Sequence, residues 1–559
     1  MKRIISSILA VNVALMGWAQ MDNVVDVETT YQPTVQDAKK IDVLPQAETT
    51  TIKHYDVEYS LSPMPTNQYV FQPAGATVSD VATEGAPKGF FTLAGGNNSN
   101  LLARGAYGWD FTPKTSLNFD LGTRGHIADV DIWHQRFYST KGMVKLEHRL
   151  TNQSSVILRA DGESQVYNYQ HQQGSGDFDK QHNWIGGIDL SLTPYTTGIL
   201  SVGGHARYNM FSRRCLLTNT TWLKDDDKFN QTEHKWDLGL TTDLRVGETI
   251  KVGVDLNYQN VGWSDSGYMS VYAFDVIPHF TIDSEKTYLR LGARLTFEEG
   301  TELEYEFSDY HAKSKFKVAP DVYAAFHVSD NVDIFGQATG GVVMNDFRQF
   351  QSMTPYWLLP YSQLPSAYNN VSALLGFKWK IQEGLFTKIY AGFDDTKNRA
   401  ELMLPVGKLY QNQLMVADGS LIHVNAEVAY NYKDMVSVKA KGRFNGWGID
   451  ENNGYFLDNA VWRPTVEASA EAIYQPVNGL RIGVDYQFAT YSDDSALPYK
   501  RPSMSNLGAS VSYRLPLSNL RNNISIYAKV DNILGSDYDI YYGQKAPGTS
   551  VLAGFALDF

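Results

Sequence analysis

Five basic residues at alternating positions are the first chemical lead. Arg290 and Arg294 share one side of a run whose other side is Leu289, Leu291, Ala293, Leu295 and Phe297. Lys439, Lys441 and Arg443 stand likewise against Val436, Val438, Ala440, Gly442 and Phe444. Cations repeated every second residue project from one face of a strand. A wet surface lined by them attracts anionic solutes. The plainer reading is that they solvate that surface and pair with acids such as Glu298. They cannot point into a dry sandwich core without partners.

Other chemistry is sparse. The 12 His are scattered singly, with no His-Glu-x-x-His, and no Gly-x-Ser-x-Gly, phosphate loop or dinucleotide fingerprint occurs. No catalytic, cofactor-binding or metal-ligating residue is therefore assigned, and a hydrolase assembled from distant strands has nothing to recommend it. The single Cys215 excludes an intramolecular disulfide and any Cys-based metal site. Asp225, Asp226 and Asp227 offer oxygen ligands for Ca²⁺, but adjacent carboxylates without alternate spacing read as solvated charge. A net charge of −13 disfavours nucleic acid as a partner. Trp222, Trp263, Tyr356 and Trp357, with Trp133, could stack on sugars or anchor a surface lipoprotein. An aromatic girdle explains strand-end aromatics more cheaply. The tetrad Tyr356-Trp357-Leu358-Leu359 must be covered by lipid, the wall of a lumen or another protein.

The elements that position these residues are strands. Short turns recur near Thr112-Pro113-Lys114, Thr151-Asn152-Gln153, Pro194-Tyr195-Thr196, Val246-Gly247-Glu248 and Asp283-Ser284-Glu285. They continue at Ser329-Asp330-Asn331, Gln382-Glu383-Gly384, Lys433-Asp434, Val477-Asn478-Gly479 and Leu517-Ser518-Asn519. Their spacing of roughly 37 to 53 residues suits a hairpin of two membrane-length strands plus a loop. Ten such turns separate eleven hairpins, so the expected fold is all-β: a transmembrane antiparallel β-barrel of about 22 strands in the cell outer membrane. A soluble multidomain β protein is the alternative. By parity the long segments 170–180, 212–232, 300–313, 345–369 and 446–461 are extracellular, as are the shorter polar stretches 394–398 and 492–500. Lys2, Arg3 and the apolar stretch after them predict a signal peptide over 1–19. Residues 20–87 then form a short N-terminal extension, periplasmic or lumen-inserted, and 88–559 the barrel.

The C-terminus carries a resemblance. Val551, Ala553, Phe555, Leu557 and Phe559 alternate and end on an aromatic. This resembles the C-terminal signal of Gram-negative outer-membrane barrels, read by the barrel assembly machinery, with Phe555, Leu557 and Phe559 as its residues. Upstream, Ile524 to Val530 precede Asn532-Ile533, Tyr538, Tyr541-Tyr542 and Pro547-Gly548. The pattern resembles the penultimate hairpin of TonB-dependent receptors, although Thr549 stands where the family usually has a basic residue. Gln20 after an Ala-terminated signal is similar to exported proteins of the Bacteroidetes. The resemblance covers 88–559 and implies an outer-membrane receptor set among lipid and lipopolysaccharide. The family's plug exceeds a hundred residues, and 20–87, broken by five prolines before Ala74, does not read as one. A barrel of this width would leave a large aqueous hole, so 20–87, an inward-folded loop such as 345–369, or a bound partner is expected to occlude it. Two functions follow: transport or binding of a polar solute with the plug reduced or absent, or a scaffold for a surface lipoprotein or periplasmic partner.

Overall fold

Alternation of apolar and polar residues is all a strand needs when one side meets lipid and the other water. This chain sustains it hairpin after hairpin. The computed structural model describes residues 88–130, 133–151, 154–169, 181–216, 228–264, 268–301, 312–358, 363–406, 411–433, 435–449, 462–493, 500–516 and 523–559. The readings made on 1–87, Trp222, the acidic run 225–227 and the turn at 517–519 lie outside the described residues, as does the side chain of Trp133.

The chain opens with β1 (Gly89–Gly96), β2 (Leu101–Thr112), β3 (Thr115–Val130), β4 (Trp133–Arg149), β5 (Ser155–Tyr167), β6 (Gln181–Thr197), β7 (Leu200–Leu216) and β8 (Lys228–Arg245). Next come β9 (Ile250–Ser264), β10 (Val271–Asp283), β11 (Thr287–Thr301), β12 (Ala312–Ser329) and β13 (Val332–Val343). A short helix, α1 (Phe347–Met353), precedes β14 (Ala367–Gln382), β15 (Leu385–Val406), β16 (Gln411–Tyr432) and β17 (Val436–Ile449). The last group is β18 (Pro464–Val477), β19 (Leu480–Tyr491), β20 (Met504–Arg514), β21 (Asn523–Asp531), the small pair β22 (Asp539–Tyr541) and β23 (Gln544–Lys545), and β24 (Ser550–Asp558).

Among the described residues, 22 of these strands form one antiparallel sheet that closes on itself. β24 pairs with β21 on one side and with β1 on the other, from Phe90 opposite Asp558 to Gly96 opposite Leu552. Gly89 and Phe559 exchange backbone hydrogen bonds of 3.0 Å in both directions at the short-turn end. The first and last strands therefore end on the periplasmic side, as the hairpin parity predicts. No described helix is long and apolar enough to cross a membrane; the strands do the crossing.

The outward positions carry the apolar residues. Leu291, Phe297, Val438, Phe444, Val551 and Phe555 are all exposed, whereas the lumen-side Arg294, Thr296, Glu298 and Asn445 are buried. Exposed aromatics gather near both strand ends: Trp109, Phe111, Trp379 and Tyr474 close to short turns, Trp184, Phe297 and Phe316 near the opposite rim. An apolar band between two such girdles identifies an outer-membrane wall.

Two local expectations shift. The turn placed at 194–196 lies instead at Gly198-Ile199. Pro194 sits where the β6–β7 register slips between Leu192 and Tyr195, and a bulge is the place a sheet tolerates a residue with no N–H to give. Gly198 takes the positive φ of 59° that the turn needs. The stretch 394–398 is not a loop but part of β15. The strand slips register between Thr396 and Arg399 around Asn398, at φ 51°, and then continues.

The closing seam is tight. A Cβ on Gly554 would collide with the carbonyl oxygen of Leu93 and with Ala94, whereas one on Gly548 would meet open space. Gly554→Val is expected to cost about 1–3 kcal/mol by overpacking. A lower temperature for loss of the fast-migrating folded band on semi-native gels would register that cost, with Gly548→Val migrating like the wild type.

Candidate functional site

The segment between β13 and β14 folds into the barrel. Asp346 caps α1 by accepting from the Gln349 amide at 2.8 Å, as N-cap acids do. The helix stops at Thr354, which is extended at φ −163° and ψ 142° ahead of Pro355. The segment then crosses to strands far from its own. Arg348 Nη1 donates to Asn209 on β7 at 2.5 Å, and Gln351 Nε2 to Gln165 on β5 at 2.7 Å. Lys235 on β8 donates to Asp346 at 2.6 Å. Glu233 accepts from the Phe347 amide at 2.7 Å and from Trp263 Nε1 at 2.8 Å. On the return leg Gln363 exchanges bonds of 2.7 and 2.8 Å with the backbone of Met269. A loop that grips β5 and β7 while rooted at β13 and β14 must span the mouth.

The grip has an apolar centre. Phe347, Phe350, Trp357, Phe211 and Ala400 form one buried cluster. Fully burying such an aromatic contributes roughly 1.5–3 kcal/mol. The Arg213 guanidinium sits over the Trp357 ring, 4.1 Å from its centroid, and donates to the Pro355 carbonyl at 3.2 Å and to the Tyr169 hydroxyl. Tyr356 packs edge-on against Tyr167 at 5.9 Å and Tyr541 at 5.8 Å. Burial and the neighbouring Tyr541 and Tyr167 push its hydroxyl pKa far above the usual tyrosine range.

Tyr541 belongs to the second part of the lid, the β22–β23 hairpin. Asn532, at φ 52°, ties its base by accepting from the Ser536 amide and donating to the Ser536 carbonyl, both at 3.0 Å. The third part is the top of β15 and β16, bent inward beyond Asn398, where Leu402 packs with Trp462 and Tyr542. Glu401 there accepts from Arg399 at 2.5 Å, Arg463 at 2.9 Å and Trp462 Nε1 at 2.5 Å. Arg501 stacks on Tyr491 at 3.8 Å and donates to the Asp539 carbonyl at 3.3 Å, which ties the hairpin to this side.

One residue joins all three parts. Asn412, at the root of β16, is fully buried. Its backbone pairs with the loop around Trp357, donating to the Tyr356 carbonyl at 2.8 Å and accepting from the Leu358 amide at 2.7 Å. Its Nδ2 reaches the Tyr542 carbonyl at 2.9 Å and the Met403 carbonyl at 3.1 Å.

The sequence-derived candidates land as follows. Tyr356 and Trp357 are fully buried at the centre of the lid, covered by the lumen wall and the neighbouring lid residues, and neither ring is open to a sugar or an external partner in this arrangement; Leu359 lies outside the described residues. Trp263 holds Glu233 and packs on Phe347 at 6.1 Å. The five cations face the lumen but are not brought together, β11 and β17 being distant strands. Arg290 is clamped by Asp255 at 2.6 Å and Asp321 at 2.8 Å, in a row continued by His279 and Asp243. Arg294 approaches Asp275 at 3.9 Å, and Lys441 approaches Glu427 at 3.9 Å. Lys439 stands opposite Glu471, and Arg443 opposite Glu467. Glu298 is taken by Lys317 at 2.7 Å, not by Arg290 or Arg294. Arg213, Glu233, Gln351, Glu401, Asn412 and Arg501 carry the lid, and none belongs to a motif.

No protein-family model matches the chain, and no curated protein matches it by sequence. Solved structures match it by fold. The ferric-catecholate import receptor Fiu from E. coli K12 superposes with a TM-score of 0.61 at 11% identity, over 85% of this chain and 82% of that one. The siderophore receptor PirA from Acinetobacter baumannii gives 0.62 at 12%, over 84% and 80%. The copper transporter OprC gives 0.60 at 13%, over 85% and 81%. At these identities the likeness is one of fold. The chain has the architecture of outer-membrane receptor and transporter barrels, in agreement with the class its C-terminal hairpin resembles.

Asn412→Leu keeps the branching at Cγ and removes the side-chain bonds to both carbonyls, at a cost of about 1–3 kcal/mol. Hydrogen exchange should then quicken in 344–358 and 538–545 together. Acceleration confined to the hairpin would show that the loops are held independently.

Proposed function

We propose that this protein is a receptor-like barrel that binds a polar solute and passes it across the outer membrane, with the three-part lid as its outer gate. The observation that carries the reading is the strap around α1, which spans a wide, polar-lined lumen. Its rim anchors are side-chain hydrogen bonds and ion pairs, to Asn209, Gln165, Lys235 and Glu233. A solute rich in hydroxyl or amide groups can exchange for such bonds, each worth about 0.5–1.5 kcal/mol between neutral groups and about 1.5–3 kcal/mol where one partner is charged. The fold likeness supports the same reading, since the matched proteins are described as receptors and a transporter. The acids beside Arg290, Arg294, Lys441 and Arg443 leave the wall with little excess positive charge. That favours a polar solute over a strongly anionic one.

Removal of residues 345–366 in favour of a short Gly-Ser link should convert small, infrequent currents in planar bilayers into large, steady ones. Equal conductance before and after deletion would remove the lid from the permeation path.

The alternative of a scaffold draws on a different observation. A lid built around fully buried Trp357, Tyr356, Phe347 and Phe350 is costly to open, and a permanently capped barrel suits a structural subunit. A stoichiometric lipoprotein or periplasmic partner retained after mild solubilisation supports the scaffold. A lone barrel with solute-dependent current supports transport.

The barrel-assembly role of Phe555, Leu557 and Phe559 stands as part of the proposal. It is supported by their place on the closing strand, where Phe559 stacks on Tyr107 at 6.0 Å and Phe555 meets Phe91 at 6.2 Å. Deleting Phe559 should lower the amount of folded barrel in the outer membrane several-fold. Normal levels would show that assembly reads another feature.

A further inference from the structure

The strap meets the wall through two carboxylates and one ammonium. Glu233 on β8 lies opposite Phe211 on β7 and Trp263 on β9 in register. Only 2% of it is exposed. One of its oxygens, Oε2, accepts from both the Phe347 amide and Trp263 Nε1, at 2.7 and 2.8 Å. The packing around these bonds is aromatic: Phe347 meets Phe211 at 6.0 Å, Trp263 at 6.1 Å and Tyr268 at 6.4 Å. The second carboxylate is Asp346, the residue before Phe347, and it has taken the Lys235 ammonium at 2.6 Å. One acid thus belongs to the wall and the other to the strap.

On β7, Arg213 reaches the Pro355 carbonyl and sits over Trp357. Arg348 on the strap donates to Asn209 at 2.5 Å. Asp237, the inward residue next to Lys235 on β8, meets His205 of β7 at 3.2 Å. On β9 the inward positions at this height are Gln259, Val261 and Trp263, none of them charged. Burying a carboxyl in such a setting is least unfavourable when it holds a proton. Neutral, Glu233 keeps accepting both N–H groups through its carbonyl oxygen. Ionised, it faces Asp346 across the contact, and two neighbouring carboxylates resist ionising together. The outward Trp236, half exposed, marks the headgroup level below Glu233, so the contact stands outside the membrane. Burial and the Asp346 carboxylate push the Glu233 carboxyl up to about 8, against the pull of its two donors and Lys235.

We propose that Glu233 is a proton-operated latch: protonated, it holds Phe347 to the wall; ionised, it repels Asp346 and lets the strap lift. The inference rests on the strap being the outer gate and adds what governs it. Closing takes up a proton, because the carboxyl is harder to ionise in the closed arrangement than in water. The latch therefore contributes fully below the ordinary carboxyl value of 4.5 and loses that contribution as the pH rises to about 8. The strap is tight in acid and loose in alkali.

Hydrogen exchange of the full-length protein in detergent, corrected at each pH for the intrinsic amide rate, reads the latch whether or not any solute passes. Failure of the latch and failure of the transport reading are thereby separate results. Between about pH 5 and about pH 8, protection in 344–358 is expected to fall about tenfold or more, with little further change by about pH 9 and none in the wall strands. Glu233→Gln keeps both acceptor bonds and has no charge to gain, so its protection should stay at the acid value throughout. Asp346→Asn keeps the cap and leaves Lys235 for Glu233, so the fall should move to lower pH. If Glu233→Gln lacks the folded gel mobility, Asp346→Asn decides the matter. A flat wild-type profile or an unshifted fall in Asp346→Asn would overturn the latch. So would an unchanged fall in Glu233→Gln, which assigns the titration to His205 beside Asp237 or to another group.

Discussion

A backbone in lipid has no water to bond, and that constraint governs this molecule. Every strand must find a partner on both sides, so the sheet closes and its last strand must meet its first. The seam between β1 and β24 is therefore the junction on which the other twenty-one depend. It is built for close approach, with Gly554 against the Leu93 carbonyl and Gly96 against Val551. Its outward face is sealed by Phe91 with Phe555 and by Tyr107 with Phe559. Alternation along the remaining strands follows from the same constraint.

Closure at 22 strands creates a second problem, a lumen too wide for wall side chains to fill. The chain answers at the outer mouth by assembling a small core from three loops that are remote in sequence. Aromatics supply the cohesion. Asn412, Glu401, Arg213 and Arg501 supply the geometry: Asn412, Arg213 and Arg501 donate to backbone carbonyls of the lid, and Glu401 accepts from Arg399, Arg463 and Trp462. Glu401 illustrates the energetics: one buried carboxylate facing two guanidiniums and an indole N–H. Removing the carboxylate from such a set typically costs about 3–5 kcal/mol, because it leaves buried guanidinium charge without its counter-ion.

The barrel was legible in the sequence because its signals are local. Period-two alternation, turn residues and a terminal aromatic do not depend on distant partners, and they indicated the strand number, the parity and the closing strand. Where local signals misled, the cause is specific. Pro194 reads as a turn residue but occupies a bulge, and Asp394-Asp395 read as loop acids although β15 runs on past them as an extended wall. The lid was legible only as a need: Tyr356 and Trp357 demanded cover. Its holders were not. Asn412, Gln351 and Glu233 are ordinary polar residues whose roles arise from pairings across 58 to 186 positions of chain, and no local pattern encodes such contacts. The acidic neighbours of Arg290, Arg294, Lys439, Lys441 and Arg443 are set by strand register, which alternation alone leaves open.

The strands also differ greatly in length, from 22 residues in β15 and β16 to 9 in β21 and β24 and 8 in β1. At about 3.4 Å per residue and a tilt near 40°, nine residues rise about 23 Å, while 22 would rise about 57 Å if straight. The seam side thus only about matches the apolar band, whereas β16 and β15, six and seven strands from β24 around the ring, carry length beyond it that bends inward as lid. An approaching molecule meets a lopsided doorway whose low sill is screened chiefly by the β22–β23 hairpin. For the proposed transport, entry from the flank, close to the membrane surface, is consequently the short route into the barrel.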